Sequence, residues 1–230
     1  MKQKKISLVI PCLNEEGGLR KILPHIPNVV DEVIIVDGNS SDNSVLVAKK
    51  YKVKVIIEKR RGYGLALRRG FDAAKNDIIA TLDADSTYPF DAIPKMLDYY
   101  LKNKLDFLVA CRFPLINKKA LAIKNFFGNL FLASITSYIF NFQITDIYSG
   151  MWIMSKKTWK QIGPKVRDDK WFFSAEIKIK AFTNKGIKFN EYWIELQERI
   201  GFTKAGNLWI HGIRILLHTI FEKVTLSIKN

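Results

Sequence analysis

The chain has 230 residues, enough for one α/β domain with a full core. Its 48% hydrophobic and 12% aromatic content excludes a disordered chain, while 37 basic against 22 acidic residues give a net charge of +15. That charge implies an anionic partner: nucleic acid, a phosphorylated substrate or an acidic membrane surface.

The first strand reads Ile6-Ser7-Leu8-Val9-Ile10 and is closed by Pro11; Asn14-Glu15-Glu16 then opens a helix limited by Pro24. A second strand, Glu32 to Val36, ends in Asp37-Gly38-Asn39-Ser40-Ser41-Asp42, which supplies a carboxylate at a strand end and a cap for a helix to about Lys50. Val53 to Ile57 is a third strand. Arg61-Gly62-Tyr63-Gly64 follows, either as a phosphate-approaching turn or as a plain helix start, before a helix from Leu65 to Lys75. The fourth strand, Ile78 to Leu82, breaks into Asp83-Ala84-Asp85. Two carboxylates at positions i and i+2 of an unwinding strand end can reach one centre, and hard oxygen ligands of this kind suit Mg²⁺ or Mn²⁺ bound to a diphosphate. As an isolated pair they are equally turn formers.

This β-α-β-α-β-α-β order predicts an α/β fold with a mostly parallel sheet covered by helices on both faces. Ligands then belong at the carboxyl ends of the strands, where Pro11 to Glu15, Asp37 and Asp83 to Asp85 converge. Further on, a helix from Phe90 to Lys102 precedes a strand from Phe107 to Ala110 that brings Arg112 to the same rim. Residues 118–144 form an aromatic, helical stretch that either lies in a headgroup region or packs as core. Thr145 to Gly150 is expected to return to strand. Trp171 to Lys185 reads as a helix carrying Glu176, Ile187 to Ile194 as a strand, and Arg199 to Lys204 as a basic loop.

The final segment, Leu208 to Ile228, is an amphipathic helix. Trp209, Ile213, Leu216, Ile220 and Val224 form its apolar stripe; His211, Arg214, His218, Glu222 and Thr225 form the opposite one, where the histidines are expected to be solvated rather than metal-bound. No run approaches the roughly 18 apolar residues of a spanning helix, and Ile6 to Ile10 is too short for a signal peptide. Cys12 and Cys111 stand at neither disulfide nor metal-ligand spacing. The expected location is cytoplasmic, peripheral on the cytoplasmic face of a membrane.

Taken in order, V-I-P-C-L-N-E-E (Val9 to Glu16), V-D-G-N-S-S-D (Val36 to Asp42), R-G-Y-G-L-A-L-R-R-G-F (Arg61 to Phe71), L-D-A-D-S-T-Y-P (Leu82 to Pro89), T-D-I-Y-S-G (Thr145 to Gly150) and R-I-G-F-T-K (Arg199 to Lys204) resemble family-2 glycosyltransferases of the GT-A fold. The likeness is greatest to dolichyl-phosphate mannose synthases and other polyprenyl-phosphate hexosyltransferases. It implies a GT-A domain at 1–205, with 118–144 as acceptor- or membrane-facing helices, and a C-terminal amphipathic helix at 206–230. It also implies donor contacts from Pro11, Leu13, Glu15, Asp37, Asp83, Ala84, Asp85, Thr87, Arg112, Arg199 and Lys204. Asp83 and Asp85 would hold the metal, and Asp85, Arg112 and Arg199 would carry catalysis. Departures are Gly38 where relatives often have a second Asp, Cys111 where a serine is common, and Phe202-Thr203-Lys204-Ala205 in place of Glu-Ser-Lys-Leu.

The activity implied is inverting transfer of mannose or glucose from a GDP- or UDP-linked donor to a polyprenyl or dolichyl phosphate. Many relatives append transmembrane helices, so attachment here is expected through the amphipathic segments or a membrane-protein partner subunit. Because a phosphate acceptor is already ionised near neutrality, no base is needed, and Asp146 is expected to hold its loop rather than remove a proton. The alternative within the family is a soluble, glycan or protein acceptor. Nucleic-acid binding is disfavoured because the aromatics sit in apolar helical stretches rather than among exposed basic residues. A nucleotidyltransferase is disfavoured because Pro11 to Glu16 contains no glycine.

Overall fold

A computed structural model describes residues 5–117, 123–201 and 208–228. Strand β1 (Ile6–Cys12) is buried along its whole length, as an apolar run covered on both faces must be. It is flanked in parallel by β2 (Glu32–Asp37) and β4 (Ile78–Thr81), with Cys12 opposite Asp37 and Val9 opposite Thr81. β3 (Lys54–Ile57) adds outside β2, also in parallel. On the other side β6 (Trp152–Ser155) runs antiparallel between β4 and β5 (Phe107–Cys111), and β7 (Phe189–Trp193) closes the sheet parallel to β5. The seven-stranded order is β3-β2-β1-β4-β6-β5-β7.

Successive side chains of β1 leave on opposite faces. Ile6, Leu8 and Ile10 pack under α1 (Glu16–Ile22), α2 (Ser44–Lys49) and α4 (Ala92–Lys102); Val9 packs with α3 (Tyr63–Ala73), α6 (Lys156–Ile162) and α7 (Phe173–Phe182). A third, smaller cluster seats Leu132 of α5 (Ile123–Phe140) on Ala175 and Ile179 of α7. The last helix, α8 (Leu208–Ile228), lies against α5.

Two expectations are corrected. Thr145 to Gly150 is a loop, and the strand lies just beyond it at Trp152–Ser155. Side chains replace the ladder there: Glu191 accepts the N–H groups of Thr145 and Asp146, and Lys178 donates to the carbonyls of Ile147 and Ser149. The expected solvation of the histidine side of α8 also fails at His218, while the side chains of His211 and Arg214 lie outside the described residues. Glu222 and Thr219 are buried and His218 is half-buried, while Ile213, Leu217, Ile220 and Val224 face outward. Among the described side chains of α8, His218, Thr219 and Glu222 turn to the protein and these apolar ones turn away from it.

Candidate active site

At the ends of β1 and β2 the two loops are laced together. The Asn14 N–H donates to Ser40 Oγ (2.8 Å), the Ser41 N–H to Asn14 Oδ1 (2.7 Å), and the Glu15 N–H to Ser44 Oγ (2.9 Å). Asn14 turns the chain at φ 51°, a left-handed conformation that Asn tolerates better than most residues. Buried Asp37 anchors the second loop by accepting from the Ser40 N–H (2.9 Å) and Oγ (2.5 Å). Pro11 is buried in β1, while Leu13 and Glu15 stand half-buried beside this junction. The lacing fixes a rim between two strand ends, where the open doubly wound architecture binds its ligands.

The Asp83-Ala84-Asp85 segment follows β4 beside this rim. Gly18 of α1 lets it approach, since a Cβ there would lie 1.9 Å from the Ala84 carbonyl oxygen. Asp83 accepts from the Tyr63 hydroxyl at 2.9 Å, and Tyr63 in turn stacks on Trp171 with centroids 5.0 Å apart. Gly150 closes in from the opposite side, where an added Cβ would meet Asp83 Oδ2 at 2.3 Å. Although Asp83 keeps some solvent contact, its desolvation, and then the nearby charge of Asp85, raises its carboxyl well above the ordinary carboxylate range. Asp85 is buried: Oδ1 takes the Thr87 N–H (2.9 Å) and hydroxyl, and Oδ2 pairs with Arg199 Nη2 at 2.5 Å. The backbone supports that pair through Ile200 N–H to Asp85 O (3.0 Å) and Gln197 N–H to Thr87 O (2.9 Å). Thus Thr87 orients Asp85, and Arg199 reaches it from the far end of the chain.

Arg112, just beyond β5, is gripped by Asp146: Nε donates to Oδ2 (2.5 Å), Nη2 to Oδ1 (2.7 Å), and its backbone N–H to Oδ2 (3.1 Å). The Tyr148 N–H adds a fourth bond to Asp146 at 3.3 Å. Behind this loop, fully buried Lys178 directs Nζ to the carbonyls of Ile147 (3.0 Å), Ser149 (2.8 Å) and Ser174 (2.9 Å), 4.8 Å from the Trp152 ring centre. Burial pulls its ammonium down to about 7. The Gly150 N–H donates to Tyr88 Oη (2.6 Å), and its carbonyl accepts from Thr81 Oγ1 (2.8 Å), so the C-terminal end of the loop is pinned to β4 and to the segment that follows it.

The predicted site residues Asp83, Ala84, Asp85, Thr87, Arg112 and Arg199 therefore lie on connected segments around the β4 end, with Pro11, Leu13, Glu15 and Asp37 forming the neighbouring rim. Lys204 lies outside the described residues. Gly62 and Gly64 serve a helix start: a Cβ on Gly62 would lie 2.3 Å from the Asp169 carbonyl oxygen, and one on Gly64 would overlap the Phe173 side chain. Tyr63, Tyr88, Lys178 and Glu191 were not foreseen. Each is a lone polar group in an apolar or mixed segment, and only Tyr63, inside the Arg61 to Phe71 motif, and Tyr88, inside the Leu82 to Pro89 motif, carried any local signal.

Beside the site, α5 and α8 together expose Phe127, Phe131, Tyr138, Ile213, Leu217 and Phe221. Arg167 lies over the Phe221 ring and Lys223 over the Phe140 ring. Contiguous apolar surface edged by cations is unusual for a face in water. No helix of the described residues is long and apolar enough to cross a membrane.

The profile of the family described as "Glycosyl transferase family 2" matches residues 7–163. The low-salt glycan biosynthesis hexosyltransferase Agl6 of Haloferax volcanii is 26% identical over 67% of this chain, which spans only 39% of that protein's length. The dolichyl-phosphate hexose transferase of the same organism is 29% identical over 86% of both chains. Among solved structures, the glucosyl-3-phosphoglycerate synthase of Mycobacterium tuberculosis, determined with Mn²⁺, UDP-glucose and phosphoglyceric acid, superposes with a TM-score of 0.71. It is 19% identical, with 96% of this chain and 79% of that one covered, a likeness of fold.

Proposed function

Since the chain belongs to glycosyl transferase family 2, with a GT-A-like sheet, we propose that it is an inverting hexosyltransferase moving mannose or glucose from a GDP- or UDP-linked donor to a polyprenyl phosphate at a membrane surface. The observation that carries this reading is the state of Asp146. Its two oxygens accept four hydrogen bonds, including a bidentate pair with Arg112, so it is poorly placed to take a proton. A hydroxyl acceptor needs a base within reach. A phosphate monoester, whose second pKa is about 6, does not.

The donor's nucleoside would lie on the rim formed by Pro11, Leu13, Glu15 and Asp37, and its diphosphate near Asp83 to Asp85. Asp83 and Asp85 fit a divalent ion such as Mg²⁺ or Mn²⁺: they are hard oxygen donors, and the cost of two desolvated carboxylates in one place would fall on binding a cation. Such an ion would neutralise charge on the leaving diphosphate. Arg199, now paired with Asp85, supplies a second cation at the same place. Arg112, held by Asp146, is a fixed cation on the acceptor side whose Nε and Nη2 are already committed. An acceptor phosphate oxygen forms its bond to the anomeric carbon as the bond to the diphosphate breaks and its electron pair leaves with the diphosphate. Attack from the face opposite the leaving group inverts that carbon, so an α-linked donor yields a β-linked product.

The apolar faces of α5 and α8, with Arg167 and Lys223 beside them, support peripheral contact with lipid. The relative acting on dolichyl phosphate gives the acceptor class its precedent. The test is transfer from a panel of GDP- and UDP-sugars with Mn²⁺ to three acceptors: polyprenyl phosphate, a small phosphorylated acid and a sugar hydroxyl. Transfer to polyprenyl phosphate alone is expected; equal transfer to the hydroxyl would refute the base-free reading.

A further inference from the structure

On the side of α7 away from the sheet, three metal-ligating side chains meet across two helices. Glu176 of α7 faces His218 and Glu222, which are one turn apart on α8. The carboxylates are fully buried, the imidazole half-buried, and one ligand atom from each residue lies within 4.8 Å of the others. His218 Nε2 is shielded from solvent and has no hydrogen-bond partner. It stands 3.5 Å from Glu176 Oε1 and 3.4 Å from Glu222 Oε1. Those separations are long for hydrogen bonds. They match ligands that share a centre, because two atoms bound tetrahedrally at about 2.0–2.1 Å lie about 3.3 Å apart.

The surroundings are those of a held ligand set. Glu176 accepts the N–H groups of Arg167 (2.9 Å) and Asp168 (2.8 Å), and Lys180 pairs with Glu222 Oε2, which fixes both carboxylates and leaves Glu222 Oε1 toward the imidazole. Phe172 packs on the imidazole at 4.2 Å and sets its ring plane. Outer partners of this kind orient metal ligands. Lys180 offsets Glu222, which leaves the Glu176 carboxylate as the charge that a cation at the imidazole would meet.

We propose that Glu176, His218 and Glu222 form a binding site for a divalent transition ion with zinc-like ligand preference, which clamps α8 onto α7. One imidazole and two carboxylates suit such an ion, with a water to complete the set. The ion lies apart from Asp83 and Asp85 and takes no part in transfer. Its effect is to fix the helix whose apolar face turns outward.

Cobalt(II) is the probe, because its visible spectrum reports low-coordinate nitrogen and oxygen ligation. The full-length Asp83→Asn/Asp85→Asn chain, which lacks the proposed catalytic metal carboxylates, is expected to bind one equivalent at mildly alkaline pH. His218→Phe in that background is expected to weaken binding at least 100-fold, and Glu222→Gln about 10-fold, with the far-ultraviolet dichroism unchanged. As a check that needs no substitution at this site, X-ray absorption of the zinc-loaded double variant should show one imidazole and oxygen ligands at about 2.0–2.1 Å. Loss of cobalt binding in the double variant, binding indifferent to His218→Phe, or a zinc spectrum without imidazole would each overturn the proposal. None of these readouts depends on sugar transfer, so their failure leaves the proposed activity standing.

Discussion

Around β1, β2 and β4 the apolar residues go into the sheet and the charged ones gather at a crevice, as in most soluble α/β proteins. At α5 and α8 the pattern reverses: Glu222 and His218 turn inward to Lys180 and Glu176, while Phe127, Phe131, Leu217 and Phe221 turn outward. The first arrangement prepares fixed charges for a charged ligand. The second leaves an apolar face for an apolar neighbour and secures its helix by buried ion pairs, which position an element more than they stabilise it. The proposed transfer from a water-soluble donor to a lipid-borne acceptor would use both.

Substitutions can separate the two regions, and the largest effect is expected at the donor side. Asp85→Asn should lower kcat by about 100- to 1000-fold, the range for losing one preorganised charge contact, and chelation of divalent ions should act alike. Arg199→Ala should cost up to about 100-fold in kcat. Because it leaves the buried Asp85 without its cation it should also lower the melting temperature, though less than Asp146→Asn does, since Arg199 itself is partly open to solvent. Asp146→Asn should differ in kind. It leaves Arg112 buried without its partner, so denaturant unfolding should show a loss of about 3–5 kcal/mol, with a smaller fall in kcat than Arg199→Ala produces.

A smaller effect is expected from Gly150→Ala. The new methyl would overlap Asp83, costing about 1–3 kcal/mol unless the loop shifts and lowering activity as Asp83 moves. The smallest change in stability belongs to the other region. Phe127→Ser with Phe221→Ser removes exposed rings, so each should alter stability by no more than about 0.5 kcal/mol. Sedimentation with anionic liposomes should nevertheless fall sharply, and activity should drop for a long-chain acceptor while a short water-soluble phosphate is still used. Unchanged sedimentation would mean that this face meets something other than lipid.

How much could be read in the chain follows the same division. Asp37 and the Asp83–Asp85 pair were legible because a buried apolar run that ends in carboxylates marks the end of a parallel strand. The convergence of three such ends follows from β-α-β connectivity alone. Thr145 to Gly150 misled because Ile147 and Tyr148 suggest a strand, whereas the loop's backbone is satisfied by Glu191 and Lys178, more than 25 residues away. Lys178 itself was invisible: a lysine in a helix is ordinarily solvated, and only the fold brings carbonyls of Ile147 and Ser149 over it. On α8 the outward Ile213, Ile220 and Val224 belong to the apolar stripe read in the sequence, but the opposite side, expected to face solvent, turns to the protein at His218 and Glu222. The default that polar means solvated failed because Lys180 and Glu176 on α7 offer partners that the helix's own sequence cannot reveal.

The most direct test of the central claim is the anomeric configuration of the product. With an α-linked nucleotide sugar, Mn²⁺ and polyprenyl phosphate, proton NMR of the purified lipid-linked sugar should show a β-linkage, and Asp146→Asn should give the same anomer at whatever rate it retains. An α-linked product from the unmodified chain would contradict direct attack by the phosphate, and with it the assignment of Asp146 as a holder of Arg112 rather than a participant in the chemistry.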